Sequence, residues 1–315
     1  MDILNLVLPV FAIIVTGYLF SRTQILPKET PALLIQFTYF VLMPALLFLV
    51  IGQEEIKNLF NLPFILALGG GVIGIYFIIL AFLLIIHKNL ATSTMLAACC
   101  VLANTGIIAL PLLHSIFGHK ALLPAAIANV IMVIMIILTM IFLEQAAHTK
   151  DEHKLSLFEK ILHVVKNPII LSTIAGIIYA SSGLALPTLI TDYLTILGSA
   201  ITACALFAIG MSLKWSSFHH NELSILLINL CKLIFMPALI LYLARLAELP
   251  PILVIAATIS AAVPTAKNAY IISEQYQQSP EFVSNVISTT TLFSTLTLLG
   301  WLLILHNIYP TAFHH

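Results

Sequence analysis

Lys267 stands near the middle of an apolar run, 251–273, in the stretch Ala261-Ala262-Val263-Pro264-Thr265-Ala266-Lys267-Asn268-Ala269-Tyr270. A lysine at the centre of a bilayer costs at least about 2.5–3.5 kcal/mol, so a charge placed there needs a use. Snorkelling to an interface is the bland alternative, and the depth of Lys267 in an interrupted run speaks against it. Its ammonium suits a counter-charge for an anionic substrate, a built-in cation in place of a coupling ion, or an amine that exchanges protons. The residue types leave these three open. A second interruption is neutral: Asn104-Thr105-Gly106, with Pro111 behind it, inside the apolar run 94–117. Asn129, in the middle of the run 121–144, is a further polar candidate. The expected substrate-binding set is therefore Asn104, Thr105, Gly106, Asn129, Thr265, Lys267 and Asn268, with Pro111 and Pro264 as hinges.

The chemistry expected of such breaks comes from the backbone. An interrupted helix leaves free N–H groups at the start of its second half and free carbonyls at the end of its first. The N-terminal end carries about half an elementary positive charge and suits an anion. Irregular backbone at membrane depth is tolerated only where it is buried in protein or lines a cavity. Two breaks at matching places in two halves of a chain point to a transporter's substrate site.

Other polar residues carry weaker signals. Lys232 within 223–246 reads as structural, snorkelling or pairing across helices. His114 reads as a packing group, and Glu144 and Glu274 as residues of span ends. The run Ser288-Thr289-Thr290-Thr291, with Ser294, Thr295 and Thr297, reads as hydroxyls bonded back to their own helix. Cys99, Cys100, Cys204 and Cys231 lie in apolar runs without metal-ligand spacing and read as small hydrophobes. There is no HExxH, no GxSxG, no phosphate-binding glycine loop and no intramembrane pair of carboxylates. No catalytic residue, metal site or cofactor is expected, and the chain is not expected to be an enzyme.

The elements that must position these residues follow from composition. Of 315 residues, 61% are hydrophobic and 8% charged, against about 25% charged in soluble domains. The chain is an all-α polytopic membrane protein, and its formal net charge of zero argues against a nucleic-acid partner. With roughly 20 apolar residues per span, ten transmembrane helices are expected: 3–21, 32–51, 62–86, 94–117, 121–144, 167–183, 190–213, 223–246, 251–273 and 282–305. The first reads as a retained span, since it lacks a basic leader region and a small-residue cleavage site. With the N-terminus outside, inner loops carry eight Lys and Arg (Arg22, Lys28, Lys88, Lys150, Lys154, Lys160, Lys166, Lys214). Outer loops carry three (Lys57, Lys120, Arg245). Both termini are therefore expected outside.

The halves repeat. Pro9 and Gly17 match Pro168 and Gly176 at an offset of 159 residues, as do Ala45-Leu46-Leu47-Phe48 and Cys204-Ala205-Leu206-Phe207. Ile25-Leu26-Pro27 matches Ala185-Leu186-Pro187 with a slip of one. The stretches 97–111 and 256–270 lie at the same 159. Five spans per half is odd, so the second half enters the membrane from the opposite side: a 5+5 inverted repeat with two broken crossover helices. The expected division is 1–146, a cytoplasmic linker at 147–166, and 167–315.

These residues also carry a resemblance. Ala261 to Tyr270 with Ser273-Glu274-Gln275-Tyr276 and Ser288-Thr289-Thr290 resembles the C-terminal signature of the auxin efflux carrier family. Leu206-Phe207-Ala208-Ile209-Gly210-Met211-Ser212-Leu213 and Asn167-Pro168 do so too, and Ala103-Asn104-Thr105-Gly106 with Pro111 is similar to the family's first crossover. The likeness covers essentially the whole chain. It implies a fold like that of the bile-acid/sodium symporters, with a scaffold and a transport domain that move in an elevator-like way. It also implies a small organic anion (a carboxylate, a dicarboxylate or an auxin-like acid) held where the crossovers meet, at Asn104, Pro111, Pro264, Lys267 and Asn268. The short central connection favours a bacterial member, in the inner membrane. The expectation is thus a secondary transporter in a lipid bilayer. A homodimer is compatible with it, and coupling to a proton or sodium gradient is left open. An anion channel or passive uniporter without ion coupling is the competing class.

Overall fold

The computed structural model describes residues 3–23, 25–54, 61–146, 168–213 and 222–313. The expected linker, 147–166, lies outside the described residues. Those described are helical apart from short connections and one isolated bridge between extended residues. In chain order the helices are α1 (Ile3–Thr23), α2 (Thr30–Gly52), α3 (Leu62–His87), α4 (Leu90–Val101), α5 (105–117) and α6 (Leu122–Ala146). They continue with α7 (Pro168–Ser181), α8 (Thr188–Ser212), α9 (Glu222–Leu246), α10 (Pro251–Ala262), α11 (Asn268–Gln275) and α12 (Pro280–Ile308).

Among the described residues, six stretches are long and apolar enough to cross a membrane: α2, α3, Thr105–Ala146, α8, α9 and α12. The 42 residues of Thr105–Ala146 would reach about twice the roughly 30 Å hydrocarbon thickness if straight. They turn back at Gly118, whose φ of 60° and ψ of −145° suit a residue without a Cβ, giving α5 and α6. Four apolar helices are shorter: Leu8–Thr23 within α1, then α4, α7 and α10.

Local chemistry sets the helix ends and bends. Asn89 caps α4 by accepting from the Thr92 N–H, and Asn61 caps α3 by accepting from the Phe64 N–H. Prolines sit in the first turn of α10 and α12, where a missing N–H is harmless. Three π-turns, Thr38–Leu42 in α2, Thr105–Ala109 in α5 and Cys231–Phe235 in α9, each stand two residues before a proline: Pro44, Pro111 and Pro237. A proline cannot donate to the carbonyl one turn back. The residue before it donates instead five residues back, Met43 to Thr38, Leu110 to Thr105 and Met236 to Cys231, and the helix bends without ending.

The helices form two groups. One is α1, α2, α7 and α8, in which α1 packs along α8 and α7 along α2. Glycines allow these close approaches. A Cβ on Gly17 would run into the Phe207 carbonyl, and one on Gly176 would meet Ile51 at 3.0 Å and the Phe48 carbonyl at 3.4 Å. Gly17 and Gly176 are 159 residues apart, and so are Phe48 and Phe207. The same glycine-on-carbonyl contact is therefore made twice, with the two halves of the chain exchanging roles. The other group is α3–α6 with α9–α12, where α3 packs on α4 and α9 on α10. At its centre lie α4 and α10. From Val254 to Val263 every side chain is buried, and so is nearly all of 93–103. A helix apolar all round is a core helix, and the small residues of α4 and α10 let neighbours come close. Outward-facing apolar stripes, Ile78, Phe82 and Ile85 on α3 and Leu223, Leu227, Leu230 and Ile234 on α9, repeat at helical spacing and suit a lipid surround.

Candidate functional site

Helix α4 ends at Val101 and α10 at Ala262. The extended residues that follow meet in an antiparallel bridge between Ala103 and Thr265. The Asn104 N–H donates to the Pro264 carbonyl and the Ala266 N–H to the Leu102 carbonyl, each at 2.9 Å. Each interruption thus supplies partners for the other's backbone, as buried polar groups require. Pro264 brings no N–H, and its carbonyl is the acceptor used. The remaining groups are taken by side chains. The Thr265 N–H donates to Thr290 Oγ1 at 3.3 Å, the Ala103 N–H to Met132 Sδ at 3.3 Å, and Thr265 Oγ1 to the Cys99 carbonyl at 2.8 Å.

Lys232 completes this set. It is fully buried, and its Nζ donates to the Ala261 carbonyl at 2.6 Å with Met236 Sδ at 3.6 Å. Ala261 is in the last turn of α10, and the amide four residues on, Thr265, is spent on Thr290. The lysine therefore caps a helix C-terminus, where a cation is favoured by the dipole and by the free carbonyl. The partner is a backbone oxygen 29 residues away, which no residue-type pattern signals.

Beside the bridge lie two cavities. The larger, about 60 Å³, is lined by Tyr39, Asn104, Gly106, Asn129, Lys267 and Asn268 among others. The smaller, about 20 Å³, is lined by Ile35, Asn104, Ile209, Ser212, Thr265, Lys267 and Thr291 among others. Lys267, Asn104 and Ile107 line both. Both cavities lie between the two helix groups: Ile35, Tyr39, Ile169, Ile209 and Ser212 come from the first, and the bridge residues and Asn129 from the second. Asn129 is 7% exposed. Its Oδ1 accepts from Thr105 Oγ1 at 3.0 Å, and its Nδ2 is buried without a partner. A buried amide with an unmatched donor costs about 1–3 kcal/mol unless a guest completes it.

Of the expected residues, Asn104, Thr105, Gly106, Asn129, Lys267 and Asn268 come together around the larger cavity. Thr265 lines the smaller one, with its hydroxyl committed to Cys99. Pro264 is in the bridge itself. Pro111 lies away from both cavities, inside α5 just past a π-turn, and its carbonyl accepts from Thr202 Oγ1 at 3.4 Å across the two helix groups. In α12 the Thr290 hydroxyl bonds to the Val286 carbonyl and Thr291 to Ile287, Thr289 also reaches Asn229 Oδ1 of α9 at 3.2 Å, and Glu144 accepts from the Tyr276 hydroxyl at 3.0 Å. Tyr39 and Met132 belong to the lining without having stood out in the sequence, while Thr291 and Ser212, noted there as a helix-bonded hydroxyl and as part of the resemblance, line the smaller cavity; Tyr39 is marked only by the Met43-Pro44 that follows its π-turn.

Gly106 shows how tight the larger cavity is. A Cβ there would stand 2.9 Å from Met43 Cε and 3.0 Å from Asn129 Oδ1. Gly106→Ala should displace Asn129 and raise the KM for the transported solute several-fold with helical content unchanged, read from uptake kinetics and circular dichroism.

The sequence pattern of the Membrane transport protein family matches residues 2–302. A Rhizobium meliloti protein named "Putative malonate transporter" is 28% identical over 97% of this chain and 97% of its own length. An "Uncharacterized transporter" of Methanocaldococcus jannaschii is 24% identical over 96% of this chain and 99% of its own. By a match that spans nearly its whole length, the chain belongs to the Membrane transport protein family, that of the auxin efflux carriers its motifs resemble.

Proposed function

We propose that the protein is a secondary carrier for a small organic anion, bound at Lys267 and Asn129 and moved by elevator-type alternating access. The observation that carries this reading is the position of the two cavities. They lie between two separately packed helix groups, against the bridge of extended backbone, with one ammonium lining both and an unmatched amide donor in the larger. In this reading α1, α2, α7 and α8 are the scaffold, and the remaining helices slide as the transport domain. The chain folds as ten spans in a 5+5 inverted repeat, divided at 1–146 and 167–315. Helix α4 with α5, and α10 with α11, are the two broken crossover helices. The paired contacts of Gly17 and Gly176 support the repeat. So does the match of Leu90–Val101 to Pro251–Ala262, although its offset is 161 rather than 159. Two extra residues therefore enter the second half before α10. The protein sits in the inner membrane of a bacterium with both termini outside.

The name of the Rhizobium meliloti relative directs the substrate search to short dicarboxylates. The test is a proteoliposome uptake screen of dicarboxylates and indole acids, with and without sodium and proton gradients. Saturable uptake of a carboxylate is expected. If none is bound or moved, the anion reading falls.

A further inference from the structure

We infer that the carried species is a monoanion with two unlike ends: a carboxylate for the larger cavity and an O–H donor for the smaller. This rests on the anion-carrier reading and narrows it. The two cavities join at Asn104, Ile107 and Lys267, so one solute reaches both. Lys267 and Asn104 line both, and the polar groups particular to each differ in kind. The larger adds donors, the unmatched Asn129 Nδ2 and the side-chain amide of Asn268. The smaller adds three hydroxyls, and each has already given its hydrogen to a carbonyl. Ser212 donates to Ala208 at 2.8 Å, Thr265 to Cys99 at 2.8 Å and Thr291 to Ile287 at 2.6 Å. A hydroxyl with its hydrogen spent keeps lone pairs only. Away from Lys267 and Asn104, the side-chain hydroxyls of that lobe offer acceptors alone, and a second carboxylate set against them would find no donor.

Size and charge agree. The lobes are about 60 and 20 Å³, and a cavity needs at least about 10–15 Å³ to hold one water-sized group, so the larger has room for the bulkier end of a short solute and the smaller for one small group. Lys267 is the one lining residue of either lobe that carries a full charge, and Lys232 stands behind the bridge on the Ala261 carbonyl. A single negative charge matches the lining. Two sources supply this chemistry: a short dicarboxylic acid in its half-protonated form, or a hydroxy acid.

The experiment uses the full chain in proteoliposomes and three labelled three-carbon acids: malonate, 3-hydroxypropionate and propionate. If the half-protonated dicarboxylic acid is carried, the KM for total malonate rises about tenfold per pH unit above malonate's second ionisation. The KM for 3-hydroxypropionate should stay flat over the same range. A pH effect on the protein itself would shift both substrates alike, whichever ionisable group around the site it came from: Lys267 and Tyr39 on the lining, Lys232, Cys99 and Cys100 behind the bridge, or Tyr270, Glu274 and Glu281 along α11 and α12. Uptake of 3-hydroxypropionate with no malonate uptake identifies the hydroxy-acid source. In either case propionate, which leaves the acceptors unmatched, binds about tenfold or more weakly than 3-hydroxypropionate, and Ser212→Ala narrows that ratio. A malonate KM that stays flat through the second ionisation, or propionate handled as well as 3-hydroxypropionate, overturns the inference while leaving the anion reading intact. Failure of all three acids, with every other carboxylate, overturns both.

Discussion

Lys267→Gln should weaken uptake of a small carboxylate by about 30-fold or more in apparent affinity, while the protein folds as before. Removing one partner of a hydrogen-bonded charge pair in a desolvated site costs at least about 2 kcal/mol, which is a factor of about 30. Glutamine keeps an N–H donor and much of the length, so the change isolates the charge. Lys267 is at the start of α11, lines both cavities and is itself exposed to them. Its removal takes no partner from the backbone bridge of Ala103 and Thr265, whose bonds run between backbone groups and through Thr265, Thr290 and Lys232. Circular dichroism and thermal stability in detergent should therefore match the wild type. Unchanged binding and uptake in Lys267→Gln would remove the counter-charge role.

Lys232→Ala should act the other way, on the fold first. The side chain is fully buried, and its ammonium holds the Ala261 carbonyl at 2.6 Å. Truncation leaves a cavity, worth about 2–5 kcal/mol for a side chain of this size. It also leaves a carbonyl unmatched beside the bridge, worth about 1–3 kcal/mol. Monodisperse protein should be lost at temperatures the wild type survives, measured by size-exclusion chromatography after heating. Lys232→Met separates the two causes. It restores most of the volume and removes a buried charge whose desolvation was itself costly, so stability should largely return. The end of α10 is then uncapped, and uptake should stay below wild type. Full uptake in Lys232→Met would reduce Lys232 to packing.

The contrast between the two lysines shows what a sequence can carry. Both stand in apolar runs, and residue type alone does not separate them. Lys267 stood out because a proline and polar residues surround it, and these mark a local interruption of the helix. The ends of α4 and α10 lie beside just such residues, since Pro, Gly, Asn and Thr act within a turn of where they stand. Lys232 has no such signal because its partner is a backbone carbonyl that only the packing of α9 on α10 brings near. The same limit applies to Asn129. Its position in the run was legible, but its unmatched Nδ2 depends on Thr105 having turned toward its Oδ1. Thr265 was legible as polar and near the break, yet its hydroxyl caps α4 across 166 residues. Pro111 was legible as a perturbation and not as to kind: the π-turn before it absorbs the missing N–H, and the helix continues. The equal spacing that pairs the glycines at 17 and 176 with the prolines at 9 and 168 was legible in the sequence. That each glycine rests on a phenylalanine carbonyl of the other half needed the fold.

In the proposed mechanism one solute at a time is held at Lys267 between two helix groups that move past each other. Counterflow tests this most directly. Proteoliposomes containing the protein are loaded with excess unlabelled substrate or left empty, and entry of labelled substrate is followed against its external concentration. Entry should saturate, run faster into loaded vesicles, and in Lys267→Gln need about 30-fold more substrate to do either. Entry that rises linearly with concentration and ignores the internal substrate would show an open pathway, and would contradict a carrier.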